Sequence, residues 1–191
     1  MTLQSTFKKQ FSCEFSAPKS EEASAKLLSA HDRLAALGPA YFSVTYGAGG
    51  STKDGTKQAV IDIRAKGSDV APHLSFGGDS ADKIEALLSE YKNANVTRVV
   101  ALRGDMPSGM GGSVRLTYAN ELVDFIREKT GDHFHIEVAA YPEVHPDSRS
   151  VESDLNFFKA KVDAGANSAI TQYFYNPAAY FNFIDACEKK G

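Results

Sequence analysis

The 191 residues are 42% hydrophobic and 24% charged, enough to build one sizeable core and too few to demand a second domain. A formal net charge of -3 leaves no basic excess, so composition excludes an electrostatic footprint for nucleic acid or for an anionic membrane surface and makes small-molecule chemistry the default. The opening "MTLQSTFKKQF" has no apolar signal-peptide core, and no later run reaches the roughly 18 apolar residues that cross a bilayer. Two distant cysteines, Cys13 and Cys187, make neither a metal-ligand spacing nor a disulfide scaffold, and a reducing cytoplasm is the expected compartment.

Short apolar or β-branched runs recur along the chain at Phe11 to Phe15, Tyr41 to Tyr46, His73 to Phe76, Arg98 to Leu102, Ile136 to Tyr141 and Ser168 to Phe174. These predict strands. The longer stretches between them carry helical spacing, among them "SEEASAKLLSAHDRLAALG", "SADKIEALLSEYKNANV", "LTYANELVDFIREKTG" and "SVESDLNFFKAKVDAG". Ser20 and Ser80 stand at N-cap positions, Asn176 and Pro177 open the last helix, and Gly38, Gly67, Gly131 and Gly165 follow helix ends.

Six βα units in series imply a parallel sheet, either open and doubly wound or closed as a (β/α)8 barrel. The first strand is followed by "SAPKS" where an open dinucleotide fold would place a glycine-rich turn. Polar residues end nearly every strand, and a barrel gathers such ends around one mouth. The expected fold is therefore α/β, a (β/α)8 TIM barrel. A complete barrel takes about 250 residues. The expectation is a single catalytic barrel domain over residues 1–191, truncated to about six βα units with its C-terminal units missing.

In the first strand, "FSCEF", Phe11, Cys13 and Phe15 share one face while Ser12 and Glu14 share the other. Glu14 then either points into the barrel or lies on an exposed edge. A partly desolvated glutamate at the mouth would hold its proton more tightly and could serve as a general acid. The second strand runs into "SVTYGAGGSTKDG", whose glycines permit close approach to a ligand, with Thr45 and Tyr46 as hydrogen-bonding groups, or simply form a loop.

The fourth strand stops at Arg103, Gly104 and Asp105. An exposed adhesion tripeptide does not fit a chain with no export signal, which leaves a solvated turn or a charged pair at a reaction site. After the fifth strand, "AAYPEVHPDSRS" brings Tyr141, Glu143 and His145 to one segment stiffened by two prolines, either as part of a site or as a capped turn. Gln172, in "AITQYFYNP", offers an amide suited to a heterocycle edge or to backbone groups. His133 and His135 precede the fifth strand at the opposite end, and His31 lies in a helix. No resident metal is expected, although His73, Glu143 and His145 leave a metal-assisted lyase or hydrolase as an alternative. A non-catalytic fragment completed by a partner chain is another.

Taken in order, "CEFSAP", "VTYGAGGST", "PHLSF", "ALRGDMP", "AAYPEVHP" and "KVDAGANSAITQYFYN" make the chain resemble the bacterial methylenetetrahydrofolate reductases from Glu14 to about Asn182. The resemblance implies FAD over the mouth of the barrel, reduced by NADH or NADPH and passing hydride to 5,10-methylenetetrahydrofolate to give 5-methyltetrahydrofolate. It implies Glu14 as general acid and Asp105 as the carboxylate that steadies positive charge on the folate and tunes the flavin. It implies Gln172 as a folate contact, and Thr45, His73, Arg103, Gly104, Asp105, Tyr118, Tyr141, His145, Asp154 and Lys161 as FAD contacts. Relatives of this kind form homo-oligomers, so one is expected here.

Overall fold

The computed structural model describes residues 9–46, 53–76, 80–103 and 118–191. Six strands alternate with six helices: β1 (Cys13–Phe15), α1 (Glu21–Ala35), β2 (Phe42–Val44), α2 (Lys53–Ala65), β3 (Val70–Leu74), α3 (Ala81–Asn93), β4 (Arg98–Ala101), α4 (Ala119–Thr130), β5 (His135–Ala140), α5 (Val151–Asp163), β6 (Ser168–Thr171) and α6 (Pro177–Lys190). All neighbouring strands pair in parallel, in the order β1-β2-β3-β4-β5-β6. Strand order equal to chain order, with a helix in every crossover, is the wall of a TIM-type barrel rather than a doubly wound sheet, whose order reverses.

Period-two alternation decides what each face of the wall carries. Phe42, Val44, Val70, Leu74, Val99, Ala101, Ile136 and Val138 are all buried and join one core with residues of the helices. On the other face the register aligns Glu14 with Ser43 and Ala71, and His73 with Val100, Glu137 and Ser168. The apolar core thus lies between sheet and helices, while the barrel interior is polar. Ile84, Leu88 and Tyr91 are each at most 1% exposed on one stripe of α3, and burying each contributes roughly 1.5–3 kcal/mol. In α5 and α6 no residue is fully buried, and Ile170 of β6 is 42% exposed.

The caps fall where the sequence placed them. Ser20, Ser80 and Asn176 accept hydrogen bonds from the backbone N–H of Ala23, Lys83 and Ala178 at 3.1, 3.4 and 3.0 Å. Strands β1, β2, β4 and β6 are shorter than their expected runs, and β3, β5 and α2 differ from expectation in where they begin. β3 begins at Val70 and ends at Leu74 instead of running from His73 to Phe76, because Pro72 is accommodated inside it. Pairing with β4 begins at His73, so the missing proline N–H falls before that ladder starts. His135 is the first residue of β5 rather than a residue ahead of it. Helix α2 starts within the Gly/Ser run read as a loop, and Gly55 explains the composition: a Cβ there would lie 2.2 Å from the carbonyl oxygen of Pro18. Glycine lets the first turn of α2 close on the loop after β1. Thr56 fastens the same turn by donating its hydroxyl to the Thr45 carbonyl at 2.9 Å. Among the described residues no helix is long and apolar enough to cross a membrane.

Candidate functional site

Two groups of polar side chains occupy the inner face and the strand C-terminal ends. The first spans β1 to β3. Phe15 stacks on Phe42 at 5.6 Å on the helix side, which turns Glu14 inward. Its Oε2 lies 3.2 Å from Nε2 of His73 and accepts the Ser43 hydroxyl at 3.4 Å. The Glu14 side chain is nevertheless 56% exposed, so the expected desolvated carboxyl is not what the fold builds. His73 is the desolvated member, with 13% of its side chain exposed and a buried Nε2 that has no aligned hydrogen-bond partner. Burial pushes the His73 imidazole below its ordinary range, against the pull of the Glu14 and Glu137 carboxylates. Thr45 closes this group from the strand end. Its Oγ1 accepts the Ala17 N–H at 3.2 Å and its own N–H bonds to Phe15.

The second group surrounds the start of α5. Nη1 of Arg103 lies 3.7 Å from Oδ2 of Asp147, and its guanidinium sits 5.9 Å from the Tyr118 ring centroid. Tyr118 stacks on Phe157 at 5.7 Å. Asp147 donates its N–H to Nδ1 of His145 at 3.0 Å, and His145 packs edge-on against Tyr141 at 4.5 Å. Asp154, in the first turn of α5, accepts the His145 N–H at 3.3 Å and the Ser148 hydroxyl at 2.9 Å. Two turns further along the stripe, Lys161 donates to the Ala139 carbonyl. Burial lowers the pKa of that amine to about 8, despite the nearby Asp154 carboxylate. Val144, between Glu143 and His145, holds φ 69, a left-handed conformation that a β-branched residue rarely adopts. The turn bond from its N–H to Tyr141 at 3.1 Å maintains it.

The sequence candidates divide accordingly. Glu14, Thr45 and His73 come together in the first group; Arg103, Tyr118, Tyr141, His145, Asp154 and Lys161 come together in the second. Gly104 and Asp105 lie outside the described residues. Gln172 is exposed at the end of β6, where its Oε1 accepts the N–H of Tyr173 at 2.9 Å. Glu143 accepts the N–H groups of Tyr175 and Asn176 at 3.3 and 3.1 Å and so ties the loop after β5 to the loop after β6. Both of these bonds go to Oε1 of Glu143. Among the described residues no group of three or more His, Cys, Asp or Glu side chains could hold a metal ion. The other histidines are structural: His31 is buried against Phe42 with Nε2 2.8 Å from Ser68 Oγ, and His133 bonds to the Val96 carbonyl at 3.0 Å.

Sequence reading missed one interior cluster. Glu137 of β5, only 5% exposed, accepts from Nη1 of Arg98 at 2.6 Å and from the Tyr41 hydroxyl at 2.8 Å. The Arg98 guanidinium also lies 4.6 Å over the Tyr41 ring. The only signal in the sequence is a lone glutamate at an inward position of "HIEVAA", flanked by apolar residues.

Parallel βα units with a polar interior and polar strand ends define an α/β protein of the TIM-barrel type. Solved structures agree at the level of fold: 2,3-dimethylmalate lyase, a member of the PEP mutase/isocitrate lyase superfamily, superposes with a TM-score of 0.63 at 12% identity, covering 93% of this chain and 63% of that one. The chain belongs to the methylenetetrahydrofolate reductase family, whose sequence model matches residues 2–191. It is 41% identical over 181 residues to the 5,10-methylenetetrahydrofolate reductase of Escherichia coli (strain K12), covering 94% of this chain and 60% of that protein. It is 37% identical over 199 residues to methylenetetrahydrofolate reductase (NADH) 1 of Arabidopsis thaliana, covering 95% of this chain and 33% of that protein. The chain therefore spans about three-fifths of the length of the bacterial relative.

Proposed function

We propose that this chain carries the catalytic barrel of a flavoenzyme that reduces 5,10-methylenetetrahydrofolate to 5-methyltetrahydrofolate with NADH or NADPH, in a ping-pong sequence through FAD. The observation that carries the reading is the pairing of Glu14 with His73 inside the barrel, beside a second cluster rich in cations and aromatic faces. The residues suit such a cofactor. Lys161 and Arg103 offer positive charge to phosphates, and Tyr118 and Phe157 offer a flat apolar face. FAD, when bound, supplies the two-electron relay that no side chain here can provide. Glu14 donates the proton that opens the imidazolidine ring, and Asp105 steadies the positive charge that results. Gln172 meets the edge of the folate, and Thr45, Gly104, Tyr141, His145 and Asp154 complete the cofactor contacts. The Arabidopsis relative carries NADH in its name, which favours NADH as reductant. A cytoplasmic homo-oligomer belongs to the same reading.

Visible absorption of the protein with added FAD tests it. The expected result is a flavin spectrum perturbed by binding, bleached by anaerobic NADH and restored by methylenetetrahydrofolate. A bound flavin that NADH bleaches but folate fails to restore overturns the proposed substrate, and a spectrum of free FAD alone overturns the claim that these residues suffice to hold the cofactor.

A further inference from the structure

We propose that His73 is the positioning residue for Glu14: the two hold a single proton between Nε2 and Oε2, and the buried Glu137 carboxylate fixes how that proton divides between them. The geometry comes from three strands. Nε2 of His73 is buried, lacks an aligned hydrogen-bond partner and lies 3.2 Å from Glu14 Oε2, a distance that a small ring rotation converts into a hydrogen bond. From β2, the strand between them, the Ser43 hydroxyl donates to the same oxygen at 3.4 Å and helps hold the carboxylate at the imidazole.

Glu137 enters through the register. His73 pairs with Val100 and Val100 with Glu137, so both side chains belong to one inward row, two strands apart. The Arg98 guanidinium at 2.6 Å and the Tyr41 hydroxyl at 2.8 Å hold Glu137 in place, and Nε2 of His135 stands 4.0 Å from it. Among the described residues, the charged or titratable groups bearing on His73 are thus Glu14 from β1 and Glu137 from β5, with Arg98 of β4, His135 of β5 and Tyr41 ahead of β2 acting on Glu137. Both carboxylates favour the imidazolium and burial opposes it.

This inference rests on the proposed reductase reading for its chemistry. Glu14 gives its proton to the ring nitrogen of the folate, breaking the Oε2–H bond and forming N–H on the substrate. The proton lost is the one the pair shared, and a solvent proton taken up at Nε2 of His73 and passed to Oε2 restores it, so one proton is consumed for each hydride delivered. An imidazole 3.2 Å from the carboxylate thus gives Glu14 a neighbouring group through which its proton is replaced.

The test begins on the full chain without cofactor, by nitrogen-15 NMR titration of the histidines, with the His73 signal identified by its loss in His73→Gln. In Glu14→Gln the His73 midpoint is expected to fall on the order of one pH unit, since an anion at this distance favours the charged form by that much or more. Glu137→Gln lowers it by less. Tyr41→Phe, which keeps the carboxylate but removes a donor from it, raises it, and this variant carries the Glu137 arm if Glu137→Gln does not fold. A His73 midpoint that Glu14→Gln leaves unmoved overturns the proposal whatever the enzyme's activity. With substrate, His73→Gln is expected to move the alkaline limb of the pH profile for folate reduction to lower pH; a uniform loss at every pH overturns the positioning role. If the NMR coupling appears while wild-type protein shows no folate-dependent flavin reoxidation, the proton-sharing pair stands and the reductase reading falls.

Discussion

Arg98 and Glu137 meet at 2.6 Å across the β4–β5 ladder, with Arg98 29% and Glu137 5% exposed. A carboxylate this buried is tolerable only while its donors remain. Arg98→Met keeps the aliphatic bulk but leaves Glu137 with the Tyr41 hydroxyl as its close donor, and is expected to lower unfolding stability by about 2–4 kcal/mol. Combining it with Glu137→Leu should recover part of that loss, because the double variant buries no unpaired charge. Urea unfolding of the four members of this cycle measures it, and additive losses would show that the pair is not coupled.

Gly55 provides a second test, of packing rather than charge. The Cβ of Gly55→Ala would stand 2.2 Å from the backbone oxygen of Pro18, an atom that cannot swing aside like the tip of a side chain. Helix propensity alone favours alanine over glycine by up to about 1 kcal/mol. The clash is expected to win, with a net destabilisation of about 1–3 kcal/mol in thermal or urea unfolding. A more stable variant would mean that the loop after β1 yields easily.

These two sites also show what was legible in the sequence. The two faces of "FSCEF" are separable in the sequence because alternation is a local property, but which of them turns inward is not, and the barrel class follows from the serial βα pattern. Gly55 was visible as part of a Gly/Ser run, but its close approach to Pro18, 37 residues earlier in the chain, was not. Glu137 lies 39 residues from Arg98 and 96 from Tyr41, and no spacing rule links positions joined only by neighbouring strands. Pro72 argues locally against a strand, and only the β3–β4 register shows why it is tolerated. For Gln172 both readings were open; the fold shows its amide oxygen taken by the neighbouring N–H.

Asp105 separates the reaction-site and solvated-turn readings of the Arg-Gly-Asp segment. Under the proposed function its negative charge acts on the folate cation as it forms, so Asp105→Asn preserves shape and removes only that electrostatic stabilisation. The expected outcome is a loss of roughly 10²–10³ in the rate of folate-dependent flavin reoxidation, with FAD affinity changed far less. Stopped-flow reoxidation beside a fluorescence titration of FAD measures both. Small and equal effects on the two would assign the segment to a solvated turn.

Lys161 makes the second cluster testable through pH. Burial lowers its pKa to about 8 from the ordinary 10.5, so between those values the unfolded chain binds a proton that the folded chain does not. Stability then rises with pH across that window, and the cost of burying the ammonium is fully present below it. The rise attributable to this residue is on the order of 3 kcal/mol. Lys161→Met should lack it, and comparing the two proteins at each pH cancels the titration of every other group. An anion seated against Lys161 favours the ammonium and raises its pKa. Saturating FAD should therefore flatten the rise in the wild-type protein and leave the Lys161→Met profile unchanged in shape. A rise that persists with FAD bound would place the cofactor's phosphates away from this lysine.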